Sequence, residues 1–178
     1  MLLGALSSLV VLSAVALVAR RRFGWVSSLA WLGLVWWLFV IALVTLVPAN
    51  GAPGVVSAEG RLPSCSWDVG GPAPEGFWIF DSGQRLLNTV LFVPAGALLV
   101  VAVARWRSGW LLAPLGLALL AVYSGGIEWT QLELARIDRS CDVTDVIDNV
   151  TGALVGFGFG LVLAVVLRPW RHRRRGRG

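Results

Sequence analysis

Apolar runs long enough to cross a membrane alternate along this chain with short polar stretches. They cover roughly residues 2–19, 25–47, 84–104, 110–131 and 147–168. About 20 apolar residues, rising about 1.5 Å each, span the hydrocarbon core of a bilayer. The pattern predicts an all-α fold, a polytopic transmembrane helix bundle of about five spans. The chain divides into an N-terminal helix with an arginine turn (1–24), a second helix (25–47), a long loop (48–83), a three-helix core (84–168) and a basic tail (169–178).

Charges between the runs orient them. Arg20, Arg21 and Arg22 follow the first run, Arg105 and Arg107 follow the third, and Arg168 opens the tail. Arginine is enriched on the cytoplasmic flanks of membrane helices. Five alternating spans with the N-terminus outside and the C-terminus in the cytoplasm put all three clusters on that side. The opposite side receives the loop and the segment 132–146, with nearly all the acids. A signal peptide carries its positive charges before its apolar core, not after it, so the first run reads as a retained helix. The competing count is four spans, with that run cleaved or peripheral. The loop is rich in Pro, Gly and Ser and has no apolar periodicity, apart from an interfacial or re-entrant candidate at Phe77-Trp78-Ile79-Phe80.

Composition strengthens the membrane assignment: 57% of residues are hydrophobic and the mean hydropathy is +0.77, above the range of soluble domains. The net charge of +5 is carried by arginine without any lysine. On such a chain the tail RPWRHRRRGRG fits a topology signal or a contact with anionic lipid, and nucleic acid is not expected as a partner. The sole histidine, His172, lies in the tail, which leaves no imidazole for a buried site. Cys65 and Cys141 fall on the same, oxidising side, where they can pair; two unrelated thiols are the alternative.

Chemistry concentrates in two stretches. Six of the ten acids, Glu128, Glu133, Asp138, Asp142, Asp145 and Asp148, lie between Tyr123 and Gly156. Charges beside membrane spans are expensive and call for a role. On the third span Asp81, Arg85, Asn88, Phe92 and Gly96 share one helix face, and Asp81 is placed to pair with Arg85. On the fourth, Glu128 and Gln131 lie together. On the fifth, Asp142, Asp145, Asn149, Gly152 and Gly156 form a stripe that is polar at one end and small further in, so the glycines are expected to form a packing seam. Asp148 falls about one residue off that stripe and carries less weight. The polar residues Asp81, Arg85, Asn88, Glu128, Gln131, Arg136, Asp138, Asp142, Asp145 and Asn149 thus converge at one membrane boundary. They can form a structural network of arginine–carboxylate pairs, or a polar pocket in which Arg85, Arg136 or Arg139 holds a phosphate or carboxylate. Clustered carboxylates can also hold a hard divalent cation through oxygen ligands or supply a general acid and base, but no spacing is a metal signature, and the sequence leaves any cofactor unknown. Ser124 is the only hydroxyl in the fourth-span motif, and helix packing is its expected role.

The motifs Asn88-Thr-Val-Leu91-Phe92-Val-Pro94-Ala-Gly96, Ser124-Gly-Gly-Ile127-Glu128-Trp-Thr-Gln131, Arg136-Ile-Asp138 and Asp142-Val-Thr-Asp145-Val-Ile-Asp148-Asn149-Val-Thr-Gly152-Ala-Leu-Val-Gly156 together resemble the VanZ-like family over roughly residues 81–160. The first span and the long loop lie outside these motifs. The resemblance implies a multi-span protein of the bacterial plasma membrane with a cell-envelope role. The family's named member is associated with low-level teicoplanin resistance, and the family has no settled biochemical activity.

The expected function is recognition of an anionic envelope component through an outward-facing polar pocket. The partners in view are membrane lipids and a lipid-linked phosphate, a cell-wall precursor or a lipoglycopeptide, with a contribution to glycopeptide resistance. Arg85 and Arg136 would bind the anion, Glu128, Asp142 and Asp145 would orient them, and Asn88, Gln131 and Asn149 would supply hydrogen bonds. The alternative is a membrane enzyme with Glu128 and Asp142 as its acid–base pair on a lipid-linked substrate. A third possibility is a partner or structural protein whose polar residues only lock the bundle.

Overall fold

A computed structural model of the chain describes residues 23–47, 65–67, 83–134 and 141–170, with isolated positions at 13, 14, 17, 20, 21 and 69. The described residues form four long helices: α1 (Trp25–Leu46), α2 (Gly83–Val103), α3 (Gly109–Leu134) and α4 (Val143–Leu167). All four are long and apolar enough to cross a membrane. The first expected span falls largely outside the described residues, as does the Phe77–Phe80 piece.

The helices alternate in direction, so the bundle has two chemically different ends. The C-termini of α1 and α3 and the N-termini of α2 and α4 carry the described acids, Glu128, Glu133, Asp142, Asp145 and Asp148. The opposite end carries Arg20, Arg21, Arg105, Arg107 and Arg168. These are called here the acidic end and the arginine end.

The tightest packing is between the parallel helices α2 and α4. A Cβ on Gly152 would land on the Thr89 carbonyl, one on Gly156 on the Val93 carbonyl, and one on Gly160 on the backbone of Ala97. Each pair is separated by the same 63 positions as Arg85 and Asp148. The ridge Arg85-Thr89-Val93-Ala97 therefore lies along the ridge Asp148-Gly152-Gly156-Gly160 in a fixed register. Four-residue ridges on both helices are a favoured way for helices to interlock. Glycine is what lets two backbones approach this closely without a hydrophobic driving force between lipid-bathed helices. Gly96 serves the same seam from α2, facing the Ala153 carbonyl.

Around the seam the core is formed by Phe92, Ala95, Leu99, Leu120, Ile127 and Ala153, with Leu34 and Ile41 from α1. Large apolar side chains on α3 and α4, such as Trp110, Leu119, Phe159 and Val162, are exposed, as expected of faces that meet lipid acyl chains. Helix α2 runs through Pro94. Proline removes a helical donor and disturbs the preceding turn. On that turn the Trp37 indole N–H donates to the Leu91 carbonyl at 2.7 Å. Trp37 thus does more than the packing or lipid contact expected of the tryptophans. The Tyr123 hydroxyl donates to the Leu38 carbonyl at 2.7 Å, joining α3 to α1.

Two boundaries differ from expectation. Helix α3 runs to Leu134 and α4 begins at Val143, four residues earlier than the apolar pattern suggests. The reason is capping. The Asp142 side chain accepts from the Thr144 backbone N–H at 2.8 Å, and Asp145 lies in the first turn, where the helix dipole favours a negative charge. The aspartate run is the start of the helix rather than a connecting turn.

Candidate functional site

At the acidic end, polar side chains of α2, α3 and α4 meet in the interior, and α1 joins them through a backbone carbonyl. Arg85 on α2 donates from Nε to Asp148 Oδ2 at 2.9 Å and from Nη2 to Asp148 Oδ1 at 3.0 Å. The two side chains are 9% and 2% exposed, so this is a buried, two-pronged ion pair of the kind arginine's planar fork favours. Asp148, which its spacing seemed to place off the functional stripe, is the partner of Arg85. Asp148 lies on the four-residue ridge with Gly152, Gly156 and Gly160; the stripe through Asn149 shares Gly152 and Gly156 with that ridge but passes beside Asp148. Asp81, the expected partner, lies outside the described residues, as do Arg136, Asp138 and Arg139.

Helices α3 and α4 are joined by two further links. The Asn149 amide N–H donates to Ser124 Oγ at 2.9 Å, which gives Ser124 a polar role beyond packing. The Asp142 backbone N–H donates to Glu128 Oε2 at 3.2 Å. Glu128 is only 5% exposed, so its carboxylate sits under the start of α4. Gln131 reaches α1, donating to the Thr45 carbonyl at 3.1 Å. Thr45 in turn donates from its hydroxyl to the Ile41 carbonyl.

The long loop reaches the same place. Cys65 and Cys141 form a disulfide across 76 positions of sequence, with Cα atoms 4.6 Å apart. Beside it, Ser66 donates to the Cys141 carbonyl at 2.9 Å and accepts from Val143 at 3.1 Å, an isolated parallel bridge opposite Asp142. The loop is therefore clasped to the N-terminus of α4 immediately next to the contact between Asp142 and Glu128.

Among the described residues of this region three buried polar atoms have no hydrogen-bond partner: Asn88 Nδ2, Thr89 Oγ1 and Asn149 Oδ1. Asn88 and Thr89 are 9% exposed and Asn149 is 3% exposed. An amide left unpaired in an apolar interior costs about 1–3 kcal/mol, so three in one neighbourhood are a standing expense of this end of the bundle. Among the described residues no group of three His, Cys, Asp or Glu side chains could hold a metal ion.

A family model, VanZ/LLP1, matches residues 29–167, a stretch that contains α2, α3, α4, all but the first four residues of α1 and every described residue of this cluster. The chain belongs to the VanZ/LLP1 family. No curated protein and no solved structure matches it. Within the matched stretch, the Asn88 motif supplies Thr89 and Val93 of α2's ridge and one unpaired amide. The Ser124 to Gln131 motif supplies three polar contacts on one face of α3, and the aspartate-to-glycine motif supplies the cap, the Arg85 partner and the packing seam of α4. The Ser124 to Gln131 and aspartate-to-glycine motifs, separate in sequence, are joined in the fold by hydrogen bonds, and the Asn88 motif meets α4 through the close-packed seam. Thr45 lies outside them and was not legible, since it takes part through its backbone carbonyl, which any residue possesses.

Proposed function

We propose that this VanZ/LLP1 membrane protein lies in the bacterial plasma membrane with its acidic end outward, and that the polar cluster there recognises an anionic cell-envelope component. The ligand class is a lipid-linked phosphate, a cell-wall precursor or a lipoglycopeptide that engages one, which would connect the chain to glycopeptide resistance. The supporting observation is the set of unpaired buried groups, Asn88 Nδ2, Thr89 Oγ1 and Asn149 Oδ1. They offer donors and an acceptor at the membrane boundary and give nothing to stability as they stand. A polar headgroup entering between the helices would satisfy them.

In this proposal Arg85 is a positioning residue, because two of its nitrogens are held by Asp148. The anion is met by Arg136, carried by the segment that joins α3 to α4, while Glu128 and Asp142 fix the start of α4. The enzymatic alternative, with Glu128 and Asp142 as acid and base, is less well supported, because the Asp142 carboxylate caps α4 and it is the Asp142 backbone that meets Glu128.

The test is the thermal stability of purified protein against polyprenyl phosphates, lipid-linked cell-wall precursors and lipoglycopeptides. A ligand of the native state raises its unfolding temperature by mass action. Asn88→Leu removes the unpaired amide, so it should leave the fold as stable or more stable while abolishing the ligand shift. Shifts of equal size in wild type and Asn88→Leu would refute the site, and no shift with any of the three ligand classes would refute the function.

A further inference from the structure

Two adjacent glycines break the packing pattern of this bundle. A Cβ on Gly96, Gly152 or Gly156 would strike neighbouring backbone, so close helix contact accounts for those glycines. A Cβ on Gly125 or Gly126 meets nothing within 4 Å. Both lie inside α3, where glycine weakens a helix and here brings no close contact. Gly126 is exposed and Gly125 half-buried. Tyr123, on one side of the buried Ser124, reaches α1. Gly125, on the other side, therefore borders α4, where Ser124 holds Asn149. The missing side chains leave a notch between α3 and α4 that runs from the lipid face toward Asn149.

The three unpaired groups share this level of the bundle. Asn149 lies one turn before Gly152 on α4, and Gly152 packs on Thr89. Asn88 lies one turn before Phe92, whose ring meets Tyr123 at 6.4 Å. All three groups are uncharged. Asn88 Nδ2 donates, Thr89 Oγ1 donates or accepts, and Asn149 Oδ1 accepts. An ionised phosphate offers acceptor oxygens, so it would leave Asn149 Oδ1 unpaired and facing another acceptor. A hydroxyl or an amide carries both a proton and an acceptor and satisfies all three. Arg85 is already held by Asp148 at two nitrogens.

We infer that the interior of the acidic end takes an uncharged hydrogen-bonding group of its ligand, a sugar hydroxyl or an amide, which enters from the lipid side through the notch at Gly125. This rests on the envelope reading above and narrows it. The charged group of the ligand stays outside with Arg136, and phosphate alone is not what the interior recognises. A site lined with unpaired polar groups discriminates strongly against ligands that lack the matching group.

The experiment reconstitutes the full chain in phosphatidylcholine bilayers and titrates it with polyprenyl phosphodiesters of equal charge, whose second substituent is methyl, hexosyl or acetamidohexosyl. Affinity is read from the rise in unfolding temperature. Wild type should bind a sugar-bearing lipid at least about tenfold more tightly than the methyl ester. A gain with both sugars assigns a hydroxyl, and a gain with the acetamido sugar alone assigns the amide. Asn88→Leu and Gly125→Leu should each erase the gain, whereas Gly126→Leu, on the exposed face, should keep it. Unfolding temperatures without ligand verify that each variant folds, and either of the first two suffices if the other does not. Equal affinity for the methyl and sugar-bearing lipids in wild type would overturn the inference. If that common affinity is lost in Asn88→Leu, the envelope reading still stands; if none of the lipids binds, both fall. A gain that Gly125→Leu leaves intact, or that Gly126→Leu reduces equally, would also overturn the inference.

Discussion

Arg85 and Asp148 sit 63 positions apart and begin the same ridge contact that the glycines of α4 complete. The ion pair and the seam are one device: the pair fixes the register at the acidic end, and Gly152, Gly156 and Gly160 hold that register toward the arginine end. Breaking a buried pair from one side leaves an unpaired charge in a medium that solvates it poorly, a loss of about 3–5 kcal/mol. Asp148→Asn and Arg85→Met should each show a loss of that order in unfolding measurements. The double variant Arg85→Met with Asp148→Leu should lose much less than the sum, because no charge is stranded. Additive losses would mean that the two residues act independently.

The seam makes a sharper claim, since its tolerance to one methyl group differs along α4. Gly152→Ala or Gly156→Ala puts a carbon into the backbone of α2, whereas Gly158→Ala meets nothing within 4 Å. Overpacking of this kind costs about 1–3 kcal/mol, more where backbone must move. The first two variants should unfold at clearly lower temperature. Gly158→Ala should be neutral or slightly stabilising, because alanine is the better helix former.

Much of this was legible from the pattern along the chain. Run lengths matched the four described helices to within a few residues, and the acids and small residues of α4 pointed to the polar end and the seam. Asp148 was undervalued because a helical stripe describes one helix alone. Its line with Gly152 and Gly156 gains meaning only when matched to Arg85, Thr89 and Val93 on α2. Capping was missed because the apolar run alone set the start of the span at 147; Asp142 was read as part of a stripe, although aspartate is among the residues that best cap a helix start. The links through the carbonyls of Thr45, Leu38 and Leu91 have no sequence signature at all.

The disulfide yields a redox prediction. Closing a loop of 76 positions limits the unfolded chain by about 4 kcal/mol on a loop-entropy scale. It also holds Ser66 against Cys141 and Val143. Reductant, or Cys65→Ser, should lower the unfolding temperature and raise hydrogen exchange at the start of α4, where the Asp142 and Val143 amides lose their shelter. Exchange unchanged at Asp142 and Val143 after reduction would show that the clasp does not support the site.

Glu128 allows charge to be separated from structure. Its carboxylate oxygen accepts from the Asp142 backbone N–H, and an amide oxygen can do the same. Glu128→Gln should therefore keep the link between α3 and α4 and change stability by less than about 1 kcal/mol, whereas Glu128→Leu leaves a half-buried N–H without its acceptor and should lose about 1 kcal/mol or more. The pair then decides what the carboxylate is for. If ligand-induced stabilisation survives in Glu128→Gln, the residue acts only as an acceptor that seats α4. If the shift disappears while the fold remains intact, the negative charge itself takes part in recognition, and product formation by the two variants becomes the measurement that separates binding from catalysis.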